Sequence, residues 1–62
     1  MIIVALSTLD GHIYQSNPAT AENKDVVKAN IVSDMKSCGL VKDIDYTLEE
    51  MTEAEFQTFM AQ

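Results

Sequence analysis

The chain has no arginine and no tryptophan, a single cysteine, a single histidine, one proline and two glycines. Each shortage excludes something. Without arginine, and with four lysines against ten acidic residues for a net charge of −6, the sequence has too little positive charge to neutralise a nucleic-acid backbone or an anionic membrane surface. A lone Cys38 forms no internal disulfide and suits a reducing compartment. With His12 as the only histidine there is no Cys/His metal constellation. The two glycines, Gly11 and Gly39, are too far apart for a phosphate-cradling loop. No apolar run approaches the roughly 18 residues of a membrane span. The opening stretch Met1-Ile2-Ile3-Val4-Ala5-Leu6 is shorter than a signal peptide's apolar region and lacks a basic flank. A cytoplasmic protein is therefore expected.

Sixty-two residues make one domain, 1–62. A chain of this size buries only about 60% of its unfolded surface, so its stability rests on tight packing or self-association. Its apolar content is that of a folded protein.

Met1 to Ser7 is nearly continuous apolar, which predicts a central strand covered on both faces. Asp10-Gly11 signals a two-residue turn, and His12 to Ser16 reads as the returning strand. Pairing Leu9 with His12 would place Ile2, Val4, Leu6 and Ile13 on one face. Ile3, Ala5, Leu9, His12 and Tyr14 would then share the other, which needs more cover than one short helix supplies. Asn17-Pro18 ends that strand, and Asn17 or Thr20 caps a helix running to about Cys38. Val27, Ile31, Met35 and Cys38 form its apolar stripe, with Val32 alongside and Gly39 as the terminating residue. Leu40 to Tyr46 alternates and predicts an edge strand. Thr47-Leu48-Glu49-Glu50 and Thr52-Glu53-Ala54-Glu55 both match a capping box. The first reads as a turn or short helix. The second opens a helix of about two turns carrying Phe56, Phe59 and Met60 on its apolar side. The fold class is therefore α+β, in the order β-β-α-β-α. A three-stranded antiparallel sheet of order 2-1-3 carries one long helix on a face and a short C-terminal helix.

The charge is unevenly placed. Residues 43–62 hold Asp43, Asp45, Glu49, Glu50, Glu53 and Glu55 and no lysine, whereas residues 1–42 hold four acids and four lysines. Helix capping accounts for Glu53 and Glu55 without invoking function. Asp43-x-Asp45 resembles the start of a calcium loop, but Leu48 stands where glycine is needed and Ala54 where the bidentate glutamate is needed. His12 has no evident nucleophile to serve, and Cys38, on the apolar stripe, reads as a small buried hydrophobe. A substrate pocket on the order of several hundred Å³ is hard to enclose in so short a chain.

The expected function is that of a small, acidic, non-enzymatic protein-binding module or inhibitor, of the kind found among phage and mobile-element accessory proteins. The expected partner-binding residues are Asp43, Asp45, Glu49, Glu50, Glu53, Phe56 and Phe59, meeting a basic surface on a protein partner. No catalytic residue, cofactor, metal, nucleic acid or membrane is expected. The alternative is a structural protein that self-associates into a homo-oligomer through an apolar sheet face or the Phe56/Phe59 patch.

Overall fold

The computed structural model describes residues 1–61. The chain forms β1 (Ile2–Ser7), β2 (Ile13–Pro18), α1 (Lys24–Ser37), β3 (Tyr46–Met51) and α2 (Glu53–Met60). The sheet order is β2-β1-β3, with both outer strands antiparallel to β1. The expected element order and strand order are both present. β1 takes the centre because it is apolar on both faces, and Ile3, Val4 and Ala5 are all fully buried.

Ile3 and Ala5 face α1, packing in one cluster with Ala19, Ile31, Met35 and Tyr46, while Val27, Leu40 and Leu48 close its margin. The long helix thus covers the Ile3/Ala5 face, for which only a short helix's incomplete cover was expected. Ile2, Val4, Leu6 and Ile13 share the opposite face, as the alternation predicts and as the Leu6–Ile13 pairing shows. Val4 is fully buried there, outside the α1 cluster.

The first turn differs from the expected two-residue type. Ser7 and His12 close the hairpin, with the Ser7 N–H donating to the His12 carbonyl at 2.8 Å and the Gly11 N–H to the Ser7 carbonyl at 3.0 Å. Gly11 takes φ 75°, whereas Asp10 stays out of the positive-φ region that a type I′ turn demands of both residues. Asp10 instead uses Oδ1 to accept the His12 N–H at 3.0 Å. Leu9 lies in this loop, 93% exposed, and pairs with nothing in β2. Tyr14 is the extra residue of a bulge between the Ala5–Gln15 and Leu6–Ile13 pairs. Asn17 and Pro18 belong to β2 instead of ending it, because β2 is an edge strand, where a residue without an N–H is tolerated.

Helix α1 starts later than Thr20. The Thr20 N–H donates to Asn23 Oδ1 at 2.7 Å and the Asn23 N–H donates to Thr20 Oγ1 at 3.2 Å, which holds a turn ahead of Lys24. Its far end is as expected. Gly39 adopts φ 82°, the Leu40 N–H reaches back to the Met35 carbonyl at 2.9 Å, and the Gly39 N–H reaches the Lys36 carbonyl at 2.9 Å. This is a Schellman motif, with Leu40 and Met35 in the same core. Cys38 is exposed, contrary to the buried position expected from the stripe, because it sits at the C-cap, where the helical period has ended.

The third strand is displaced from the expected Leu40–Tyr46 to Tyr46–Met51. Leu40 is consumed by the helix terminator, and 41–45 closes on itself as a turn. The Val41 N–H donates to Asp45 Oδ2 at 2.7 Å, the Asp45 N–H donates to the Val41 carbonyl at 2.8 Å, and Asp43 sits at φ 68°. Aspartate tolerates that left-handed conformation and competes for nearby backbone groups, so local hydrogen bonding outweighs the alternation. Thr47-Leu48-Glu49-Glu50 lies within β3, since the open edge of β1 offers a full ladder and a first-turn helix does not. The second box behaves as predicted. The Glu55 N–H donates to Thr52 Oγ1 at 3.1 Å and the Thr52 N–H donates to Glu55 Oε1 at 2.9 Å.

Ile31→Ala is expected to cost about 2–5 kcal/mol, a large share of the stability of a small domain. Cys38→Ser is expected to change it by less than about 0.5 kcal/mol. Urea unfolding followed by circular dichroism checks both, and comparable losses for the two variants would contradict this core.

Candidate functional site

The seven residues expected to meet a partner are distributed over the 41–45 turn, β3 and α2. Asp43 is exposed beside Lys42, whose Nζ donates to Asp43 Oδ2 at 3.2 Å. Asp45 is half-buried; its carboxylate holds the 41–45 turn, and its carbonyl accepts the Thr8 N–H at 3.1 Å. The Thr8 hydroxyl also donates to the Ile44 carbonyl at 2.8 Å, which ties this turn to the β1–β2 loop. Asp45 is therefore committed to the fold.

Glu49 and Glu50 are adjacent in β3, and the pleat sends them to opposite faces. Glu50 opposes Ile3 and lies on the α1 side, where Lys28 Nζ donates to its Oε2 at 2.6 Å and Lys24 Nζ stands 3.8 Å from its Oε1. The hydrogen bond from Lys28 holds the Glu50 carboxyl below the ordinary carboxylate range, against a weaker upward push from burial. Glu50 thus links helix to sheet. Lys24 and Lys28 are one helical turn apart, and that spacing was the sequence signal for a shared carboxylate partner.

Glu49 opposes Val4 on the other face and shares it with Met51. Glu53 is exposed in the first turn of α2. Among the described residues, neither Glu49 nor Glu53 has a side-chain hydrogen bond or an ion pair. Phe56 and Phe59 are half-buried, Met60 is 59% exposed, and α2 buries no residue completely. An open groove of about 410 Å³ runs along this helix, lined by Met51, Ala54, Glu55, Thr58 and Phe59. The floor is mostly apolar. Phe56 does not line it, whereas Met51, missed in the sequence, does.

The expected set therefore divides in two. Asp43 and Asp45 lie before the first residue of β3. Glu49, Glu53 and the groove lie towards its other end, about 17 Å away for a six-residue strand. His12 and Asp10 form a separate exposed pair, in which the His12 N–H lowers the Asp10 pKa, and the His12 ring meets Tyr14 edge-on at 4.6 Å. Among the described residues, no three or more His, Cys, Asp or Glu side chains are grouped to hold a metal ion, and no helix is long and apolar enough to cross a membrane. Set against protein families, curated proteins and solved structures, the chain matches none.

Because the folded-state pKa of Glu50 is lowered, its ionised form contributes stability that is complete above the ordinary carboxylate value of about 4. That contribution is lost as the pH falls through the lowered value. Glu50→Gln should destabilise the protein at neutral pH and make its thermal midpoint less sensitive to acid. A variant that matched the parent at neutral pH would show that the Lys28–Glu50 pair holds nothing together.

Proposed function

We propose that this chain is a non-enzymatic acidic binding module that docks on a basic surface of a partner protein through the end of β3 and helix α2. The observation that carries the reading is an apolar groove set in a stretch of single-signed charge. Its lining includes Met51, Ala54, Thr58 and Phe59, and residues 43–61 contain six acids and no lysine. Lys24 and Lys28 are engaged with Glu50 on the opposite face. Glu49 and Glu53 are left to supply charge beside the groove. Carboxylates of this kind steer a cationic partner and set orientation, while an apolar anchor in a groove supplies affinity. The occupant that fits is a Lys/Arg-rich amphipathic segment carrying one or two large apolar side chains. In the groove, Glu55 is occupied by its cap and the Thr58 hydroxyl donates to the Ala54 carbonyl at 3.0 Å, which favours binding over catalysis. The exposed thiol of Cys38 suits a reducing compartment such as the cytoplasm.

A synthetic amphipathic Lys/Leu peptide, labelled for fluorescence anisotropy, tests the reading. Its affinity should fall steeply with added salt. The double change Glu49→Gln and Glu53→Gln should weaken binding several-fold at low salt and flatten the salt response, leaving stability unaltered. Salt-insensitive binding, or equal binding by the double variant, would reject the acidic docking surface. A salt-resistant homo-oligomer in light scattering would support self-assembly through the Ile2, Leu6 and Ile13 face instead.

A further inference from the structure

Tyr46 is fully buried, and among the described residues its hydroxyl is the buried side-chain group with no hydrogen-bond partner. Buried polar groups are almost always satisfied, and leaving one unpaired is costly. A phenylalanine here would fill nearly the same space without that cost. The surroundings suggest why a hydroxyl stands there. Tyr46 lines a cavity of about 260 Å³ together with Val32 and Lys36 of α1 and Leu40, Val41 and Lys42 of the following connection. Val32, Leu40 and Val41 make the walls largely apolar. Two of the four lysines in this strongly acidic chain border the cavity. Lys42 is shared with exposed Asp43, whereas Lys36 has no ion-pair partner among the described residues.

We propose that this cavity is a binding site for a small monocarboxylate with an apolar body. The carboxylate accepts the Tyr46 O–H and meets the Lys36 and Lys42 ammonium groups, while the body packs against Val32, Leu40 and Val41. Lys42 is close enough to act on the hydroxyl electrostatically: its charge opposes the upward pKa shift that burial imposes on Tyr46, and Asp43 adds to that shift. Val41 and Lys42 are exposed and line the cavity, whereas the Tyr46 hydroxyl has no open surface, so the ligand has to open a path to it. The size is at or below the small end of ordinary ligand sites, which limits the ligand to a benzoate or a short fatty acid. A phosphate fits less well, because the sides formed by Val32, Leu40 and Val41 would strip water from its oxygens and return no hydrogen bond. Tyr46 opens β3 and Met51 ends it, so this site is separate from the proposed docking groove.

The test is an NMR titration of the full chain with benzoate and hexanoate, using benzamide as the uncharged counterpart. Benzoate and hexanoate should shift Val32, Leu40, Val41 and Tyr46 and bind more tightly than benzamide. Tyr46→Phe should weaken carboxylate binding by about tenfold, with thermal stability equal to or above that of the parent. Lys36→Gln leaves the core untouched, and it should remove most of the preference for carboxylate over amide. Absence of binding up to roughly millimolar benzoate, equal affinity for benzamide, or unchanged binding by Tyr46→Phe and Lys36→Gln would each overturn the proposal and leave a cavity that holds only water.

Discussion

The pairing of β1 along both of its edges fixes where every other element sits. Ile3, Val4 and Ala5 are buried in succession, so both faces and both edges of this strand are in use. Burying side chains such as Ile3 and Val4 contributes about 1.5–3 kcal/mol each, which is substantial in a domain this small. Each edge demands a partner, and β2 and β3 answer it in antiparallel register. The Ile3/Ala5 face demands a cover, and Ile31 and Met35, one turn apart on α1, provide it. The acidic end of the chain follows from the same constraint, because the partner that β1 takes on its second edge carries Glu49 and Glu50.

Pairing with β1 also decides what those two carboxylates do. They are neighbours in sequence and opposites in space. Opposite Ile3, Glu50 falls between Lys24 and Lys28 and holds helix to sheet; opposite Val4, Glu49 is left without an ion pair among the described residues. Asp45 and Glu55 are similarly spent on a turn and a cap. An acidic segment that looks uniform in the sequence thus separates into carboxylates that the fold uses and carboxylates that it leaves unpaired among the described residues. Lysine placement follows a related logic. Two lysines serve Glu50, and the other two border the cavity beneath Tyr46.

How much of this was legible depends on whether a signal was local and unopposed. The apolar run of β1, the glycine stop at Gly39 and the Thr52–Glu55 box each name one structure, and each forms as read. Leu40–Tyr46 and Thr47–Glu50 carried signals that pointed elsewhere. The alternation at 40–46 competed with a Schellman cap that takes Leu40 and with an aspartate turn closed by Asp45. The first capping box competed with a long-range ladder, which no nearby residue announces. Leu9 and Cys38 illustrate a related failure, since each continued an apolar pattern by one step beyond the element that carried it. In the candidate site, Glu49, Glu53 and Phe59 were legible from charge and spacing. Met51 and the roles of Asp45 and Glu50 needed the register of β3.

That register is the most direct place to test the account. Cross-strand proton contacts between β1 and its partner in a nuclear Overhauser experiment would measure it. The account predicts contacts from Val4 to Glu49, from Ile3 to Glu50 and from Ser7 to Tyr46. A ladder between β1 and residues 40–45 would contradict it, and with it the division of labour between Glu49 and Glu50.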